Sequence, residues 1–203
     1  MGFDHVNEES QGRVAAAMAL IQDTSAIIFD LRKNGGGNGF MGGLISGYLF
    51  DKPTHLNSIH WKPAGNVTEI WSQEKVQGKK VADTPVYILT SSDTFSAAEA
   101  FAYYLKHLDR ATIIGEATKG GANPWQYFPL GNGFKIAIPI AKAVNPITKT
   151  NWEGTGVKPD IETSREKAFP TAYRLALQAA KISTAHPEHL KEIQQKLQDF
   201  DSL

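Results

Sequence analysis

Apolar residues fall along this chain into short continuous runs separated by turn-formers, and the spacing predicts the elements. Between residues 13 and 21 the pattern VAAAMALI repeats at helical spacing, rich in small residues suited to close packing. Ala26-Ile27-Ile28-Phe29-Asp30-Leu31 follows as a buried strand and empties into Asn34-Gly35-Gly36-Gly37-Asn38-Gly39. The apolar stretch 41–50 predicts a helix, and the polar residues 51–84 an excursion of short strands and loops. Val86-Tyr87-Ile88-Leu89-Thr90 is a second buried strand, followed by Ser91-Ser92-Asp93 and a helix over about 96–108. Ala111-Thr112-Ile113-Ile114-Gly115 is a third, ending in a second glycine loop, Thr118-Lys119-Gly120-Gly121-Ala122-Asn123-Pro124. Residues 133–144 read as one or two strands, hairpin-paired across Gly131-Asn132-Gly133. Helices over 173–182 and 187–200 close the chain, and strands alternating with helices make it an α/β domain.

Composition narrows what such a domain can do. The 203 residues suit one domain, and 41% hydrophobic content suffices for a core. Twenty-one basic and 21 acidic residues cancel, which argues against an electrostatic nucleic-acid or membrane binder. No apolar run is long enough to span a bilayer, and Met1-Gly2-Phe3-Asp4-His5 does not read as a signal peptide. With no cysteine, disulfides, thiolate metal sites and cysteine catalysis are excluded, while the compartment stays open.

Two segments carry candidate chemistry. In Thr90-Ser91-Ser92-Asp93-Thr94-Phe95-Ser96-Ala97-Ala98-Glu99 a strand ends, a tight connection follows and a serine opens a helix. An oxygen nucleophile there gains from the helix dipole, and nearby N–H groups can face a developing oxyanion. Ser96-x-x-Glu99 is equally a capping box, so alone the segment fits a nucleophile or an ordinary helix cap. The glycines 35–37 after a buried strand can form an anion-holding nest or a simple tight turn. They match neither a Walker loop nor a dinucleotide fingerprint. His186-x-x-His189 has no third ligand near it in sequence and reads as a solvated face, so no metal site is expected.

Taken in order, the segments resemble the tail-specific (C-terminal processing) serine protease family. Asp30-Leu31-Arg32-Lys33-Asn34-Gly35-Gly36-Gly37 is similar to that family's Asp-Leu-Arg-x-Asn-x-Gly-Gly loop, and 89–99 to its nucleophile segment. Gly115-Glu116-Ala117-Thr118 resembles its Gly-Glu-x-Thr loop, and Gly156-Val157-Lys158-Pro159-Asp160 falls in its closing Gly-x-x-Pro-Asp strand. The likeness runs from about residue 3 to 168. Within the family, 54–57, 145–148 and 151–154 point to the branch of interphotoreceptor retinoid-binding protein modules and the tricorn core protease.

The resemblance implies a ClpP/crotonase-like spiral of β-β-α units, with residues 1–170 as protease core and 171–203 as C-terminal helices on or extending from it. It implies a serine peptidase acting on peptides or proteins without a cofactor, with Ser96 as nucleophile and an oxyanion hole of backbone N–H groups from Gly36 or Gly37 and Ala97. Some members use a lysine base, whose position falls here on Gly121, two residues past Lys119. The tricorn-like branch uses a histidine from an earlier segment and a late glutamate, for which Glu153 is the candidate. None of the six histidines fits the base. His107 lies one helix length from Ser96, roughly 16 Å at 1.5 Å per residue. The expectation is therefore a fragment whose upstream helical subdomain and base histidine are absent, from a full-length protein of exported type. The rival reading is a non-catalytic hydrophobic-ligand or peptide-binding module, with Trp61, Trp71, Trp125 and Trp152 as candidate pocket residues.

Overall fold

A computed structural model describes residues 2–201. Helix α1 (Glu8–Ile21) opens on Asn7, whose side chain takes the Ser10 N–H while Ser10 returns the bond, a reciprocal cap that starts the helix five residues before its apolar pattern does. Strand β1 (Ile27–Asp30), helix α2 (Gly39–Leu49), strands β2 (His55–Trp61) and β3 (Val67–Trp71), strand β4 (Val86–Thr90), helix α3 (Ala97–His107) and strand β5 (Thr112–Gly115) follow in the order the pattern predicts. The rest comprises a hairpin β6 (Trp125–Gly131) and β7 (Phe134–Pro139), strands β8 (Ala141–Val144) and β9 (Ile161–Glu162), and helices α4 (Arg165–Ser183) and α5 (Pro187–Asp201).

The central sheet runs β1-β4-β5-β9, all parallel, with Phe29 opposite Ile88 and Ile88 opposite Ile113. Strands buried on both faces need continuous apolar runs, and Ile88, Leu89, Ile113 and Ile114 are wholly enclosed. One face packs on α2 and α3, where Phe101 meets Phe3, Phe29 and Tyr104 edge-on. The other face receives Ala168 and Ala172 of α4 against Leu89 and Ile114. Helix α4 begins eight residues before its amphipathic pattern suggests, because Pro170 sits inside it where a breaker would be read.

The excursion 51–84 supplies the antiparallel sheet β3-β2-β8, and a bulge between His55 and Asn57 breaks the register of β2. The hairpin β6–β7 pairs only with itself and is exposed on both faces, Leu130 and Phe134 most of all. The mixed α/β architecture is the ClpP/crotonase-like fold.

Candidate active site

The parallel order brings the C-terminal ends of β1 and β4 side by side, and both glycine-rich and serine-bearing loops leave from there. They are stitched together. Thr94 Oγ1 donates to Leu31 O (2.8 Å), Ser91 Oγ to Arg32 O (2.7 Å) and the Phe95 N–H to Asn34 O (3.1 Å). Ser96, at the end of this turn, holds φ 55° and ψ −120°, a backbone conformation that costs a non-glycine residue roughly 1–3 kcal/mol. A helix cap needs no such conformation, since capping residues take extended backbone. A serine on a strained strand-to-helix turn is the geometry of a nucleophile elbow.

Glu99 maintains that geometry. Its carboxylate is fully enclosed and accepts from Thr118 Oγ1 (2.5 Å) and the N–H groups of Gly120 (2.6 Å), Ser96 (2.7 Å) and Gly121 (2.9 Å). Four donors on an acceptor-only group offset its desolvation and tie the nucleophile to the second glycine loop. Thr118 Oγ1 in turn accepts the Val157 N–H, so the closing segment joins the same network.

The first glycine loop meets Ser96 at Gly36. A Cβ there would lie 2.8 Å from Ser96 Cβ and 2.9 Å from the Ala97 nitrogen, and φ is +91°. Only glycine permits this approach. The Gly36 N–H is spent on Asn34 Oδ1 (2.9 Å), so it cannot serve an oxyanion. Gly37 differs. Its peptide is held between the Phe3 N–H to Gly36 O and the Asn38 N–H to Phe3 O, both 2.7 Å, and no described acceptor takes its own N–H. The Ala97 N–H, first of helix α3, is likewise unclaimed. Ser96, Ala97 and Gly37 all line one cavity of about 550 Å³.

The other expected residues stand further off. Glu153 Oε2 accepts from the N–H groups of Ala122 (2.7 Å) and Asn123 (2.9 Å), fastening the loop whose Ala122 lines the cavity, without touching Ser96. Lys119 is exposed, with Nζ 5.3 Å from the centre of the Phe95 ring, and is not part of the cavity wall. At Gly121 a Cβ would overlap that same ring, so Phe95 fills the space a lysine would need. His5, set aside in the sequence with the other five histidines as a poor fit for the base, lines the cavity. Its Nδ1 lies 3.0 Å from Asn38 Nδ2, and Asn38 Oδ1 is already taken by the Phe40 N–H. The amide can therefore only donate to His5, which puts the proton of the neutral ring on Nε2 and leaves no lone pair for a serine proton. Of the tryptophans, Trp61 and Trp152 line the cavity, whereas Trp71 stacks on His55 and Trp125 meets Tyr127 edge-on.

A serine held at positive φ after a parallel strand, lining one cavity with two unclaimed N–H groups, has the parts that a serine hydrolase uses. The model of peptidase family S41 matches residues 2–163, and the chain belongs to that family. The carboxyl-terminal-processing peptidase 2 of Arabidopsis thaliana chloroplasts is 27% identical over 81% of this chain and 31% of its own length. The carboxyl-terminal-processing protease of Picosynechococcus is 28% identical over 71% of this chain and 33% of its own. The chain thus spans about a third of the curated relatives it matches. The photosystem II D1 C-terminal processing protease shares the fold, with a TM-score of 0.62 over 81% of this chain and 42% of its own at 24% identity. None of these names speaks for a hydrophobic-ligand carrier.

Proposed function

We propose that this chain is the catalytic core of a serine peptidase that cleaves peptides or proteins through an acyl-enzyme on Ser96. The observation that carries this reading is the positive-φ serine beside the unclaimed N–H groups of Gly37 and Ala97. A carrier of apolar ligands has no use for such strain. Ser96 Oγ attacks the scissile carbonyl, and the two N–H groups receive the oxyanion. Collapse then breaks the C–N bond, and the proton lost by the serine leaves on the amine. Water repeats the sequence on the ester and restores the hydroxyl. Glu153 acts by holding the Ala122 segment of the cavity wall.

No described side chain is hydrogen-bonded to the Ser96 hydroxyl, and a positioned base contributes ~10²–10⁴-fold. The 203-residue chain is accordingly expected to hydrolyse unstructured peptides slowly. A fluorophosphonate should still modify Ser96, faster when imidazole is added as an external base, and not the Ser96→Ala protein. Mass spectrometry locating the adduct elsewhere, or labelling undiminished in Ser96→Ala, would overturn the nucleophile assignment. Lys119→Ala should leave labelling and residual cleavage within about twofold, whereas Glu153→Gln should lower them severalfold, well short of the ~10⁴ that a directly bonded triad carboxylate can cost. Robust cleavage abolished by Lys119→Ala in a folded protein would instead assign the base to that lysine.

A further inference from the structure

Among the described residues the ribbon β6–β7 stands apart, because its strands bond only to each other and every residue in them is exposed. Its cross-strand register sorts the side chains onto two faces. On one, Tyr127 lies opposite Ala137 and Pro129 opposite Lys135. There Trp125 meets Tyr127 edge-on, and Lys135 Nζ sits 4.3 Å from the centre of the Tyr127 ring. On the other, Phe128 lies opposite Ile136 and Gln126 opposite Ile138, with Phe134 two residues before Ile136 on the same side. Leu130 follows at the bulge beside the turn. Phe128, Leu130, Phe134, Ile136 and Ile138 are between 38% and 72% exposed, and no charged residue stands among them. At about 200 Å² for a fully open side chain they leave roughly 500 Å² in water, a patch of a size that often marks an interaction site.

We propose that a second copy of this chain covers that face, the two ribbons packing together about a twofold axis near Ile136. Such an axis sets Phe134 of each copy against Ile138 of its partner, so that large side chains oppose smaller ones. A two-stranded ribbon is marginal by itself, and a second ribbon supplies the strands and the apolar cover that it lacks. A flat, uncharged β face is matched by another of the same kind, and every copy carries one. The 21 basic and 21 acidic residues of the chain cancel, so two copies approach without net repulsion. A bilayer fits less well. The apolar side chains continue to Ile138 at the base of the ribbon, and burying them all would carry two open strand edges into hydrocarbon. With roughly 500 Å² from each copy the contact totals about 1,000 Å², the size of a reversible association and not of an obligate dimer.

Sedimentation velocity of the chain tests this. It should show monomer at about 1 µM and mostly dimer at about 300 µM, with half-association at roughly 10–100 µM. Phe134→Glu and Ile136→Glu, which bring like charges into the contact, should each weaken association about tenfold or more. Lys135→Glu, on the opposite face, should change it by about twofold or less. Amide exchange gives a second reading that needs no variant, and so survives if a substitution disorders the ribbon. At about 1 µM the ribbon stands bare and its amides exchange freely, whereas at about 300 µM they should slow about threefold or more. A chain that stays monomeric at about 300 µM overturns the inference, and so does exchange independent of concentration. A dimer as tight in both glutamate variants as in the parent overturns it too. Monomer that sediments with neutral phosphatidylcholine vesicles would overturn it in favour of a bilayer. None of these readings depends on the assignment of Ser96.

Discussion

Position 96 sets stability against chemistry. With φ at 55° and ψ at −120°, glycine would be at ease where serine is strained, whereas alanine would inherit the strain. Ser96→Gly is therefore expected to raise stability by about 1–3 kcal/mol while abolishing labelling, and Ser96→Ala to abolish labelling without that gain. At about 2–4 °C per kcal/mol for a chain of this size, thermal unfolding resolves the two. Equal melting temperatures would show that the turn is not strained. Three residues on, Glu99 faces four donors and no acceptor. Glu99→Gln turns an N–H₂ toward donors and removes the charge they pair with, for an expected loss of about 3–5 kcal/mol. A loss under 1 kcal/mol in denaturant titration would mean that the network rearranges freely. The turn at Ser96 was legible in the sequence, where strand, turn and small-residue helix adjoin, but the residues alone fitted a cap equally and only the family resemblance made the serine a candidate nucleophile. The choice between Gly36 and Gly37 was not, because it turns on one Asn34 hydrogen bond that no spacing encodes.

At the scale of elements, Phe95 and Gly121 are neighbours across two loops, and each dictates the other's size. Gly121→Lys alone is expected to destabilise the fold by overpacking, about 1–3 kcal/mol, and Phe95→Ala added to it should recover most of that. Independent, additive effects of the two substitutions would contradict the steric reading. A second link joins β1 to α4: Arg32 grips the Asp30 carboxylate (2.6 and 2.8 Å) and reaches the Arg165 carbonyl (2.7 Å). The hydrogen bonds from Arg32 lower the Asp30 pKa in the fold, against a partial rise from burial. The stability this contributes is present above the unfolded value, about 3.9, and is lost as pH falls through the lowered folded value. Asp30→Asn should flatten the acid limb of the stability profile below about pH 4, and an unchanged limb would assign acid sensitivity elsewhere. Elements with one strong signal were readable, such as the continuous apolar runs of β1, β4 and β5. The starts of α1 and α4 were not, because a polar cap precedes one and Pro170 interrupts the other.

Across the whole molecule the cohesion is uneven. Strands β4 and β5 lie between two layers of helix, while β6 and β7 bond only to each other with every residue exposed. A lone two-stranded ribbon is marginally stable in water, so amides of 125–139 should exchange with deuterium orders of magnitude faster than those of Ile88 or Ile113. Slow exchange there would show that the ribbon is covered in solution. The sequence showed a hairpin turning at Gly131-Asn132-Gly133 but not that the ribbon stands uncovered, since composition records what a strand could bury and not whether anything lies over it. The alternation of strands and helices foretold an α/β domain and the family resemblance its spiral, but the cavity joins residues as distant as Asn57 and Trp152, which only the folded chain brings together. The crowding of Phe95 against Gly121 also bears on descent. A lysine entering position 121 must push that ring aside, so a lineage bringing a proton acceptor there is favoured to trade Phe95 for a smaller residue first, a change useless by itself.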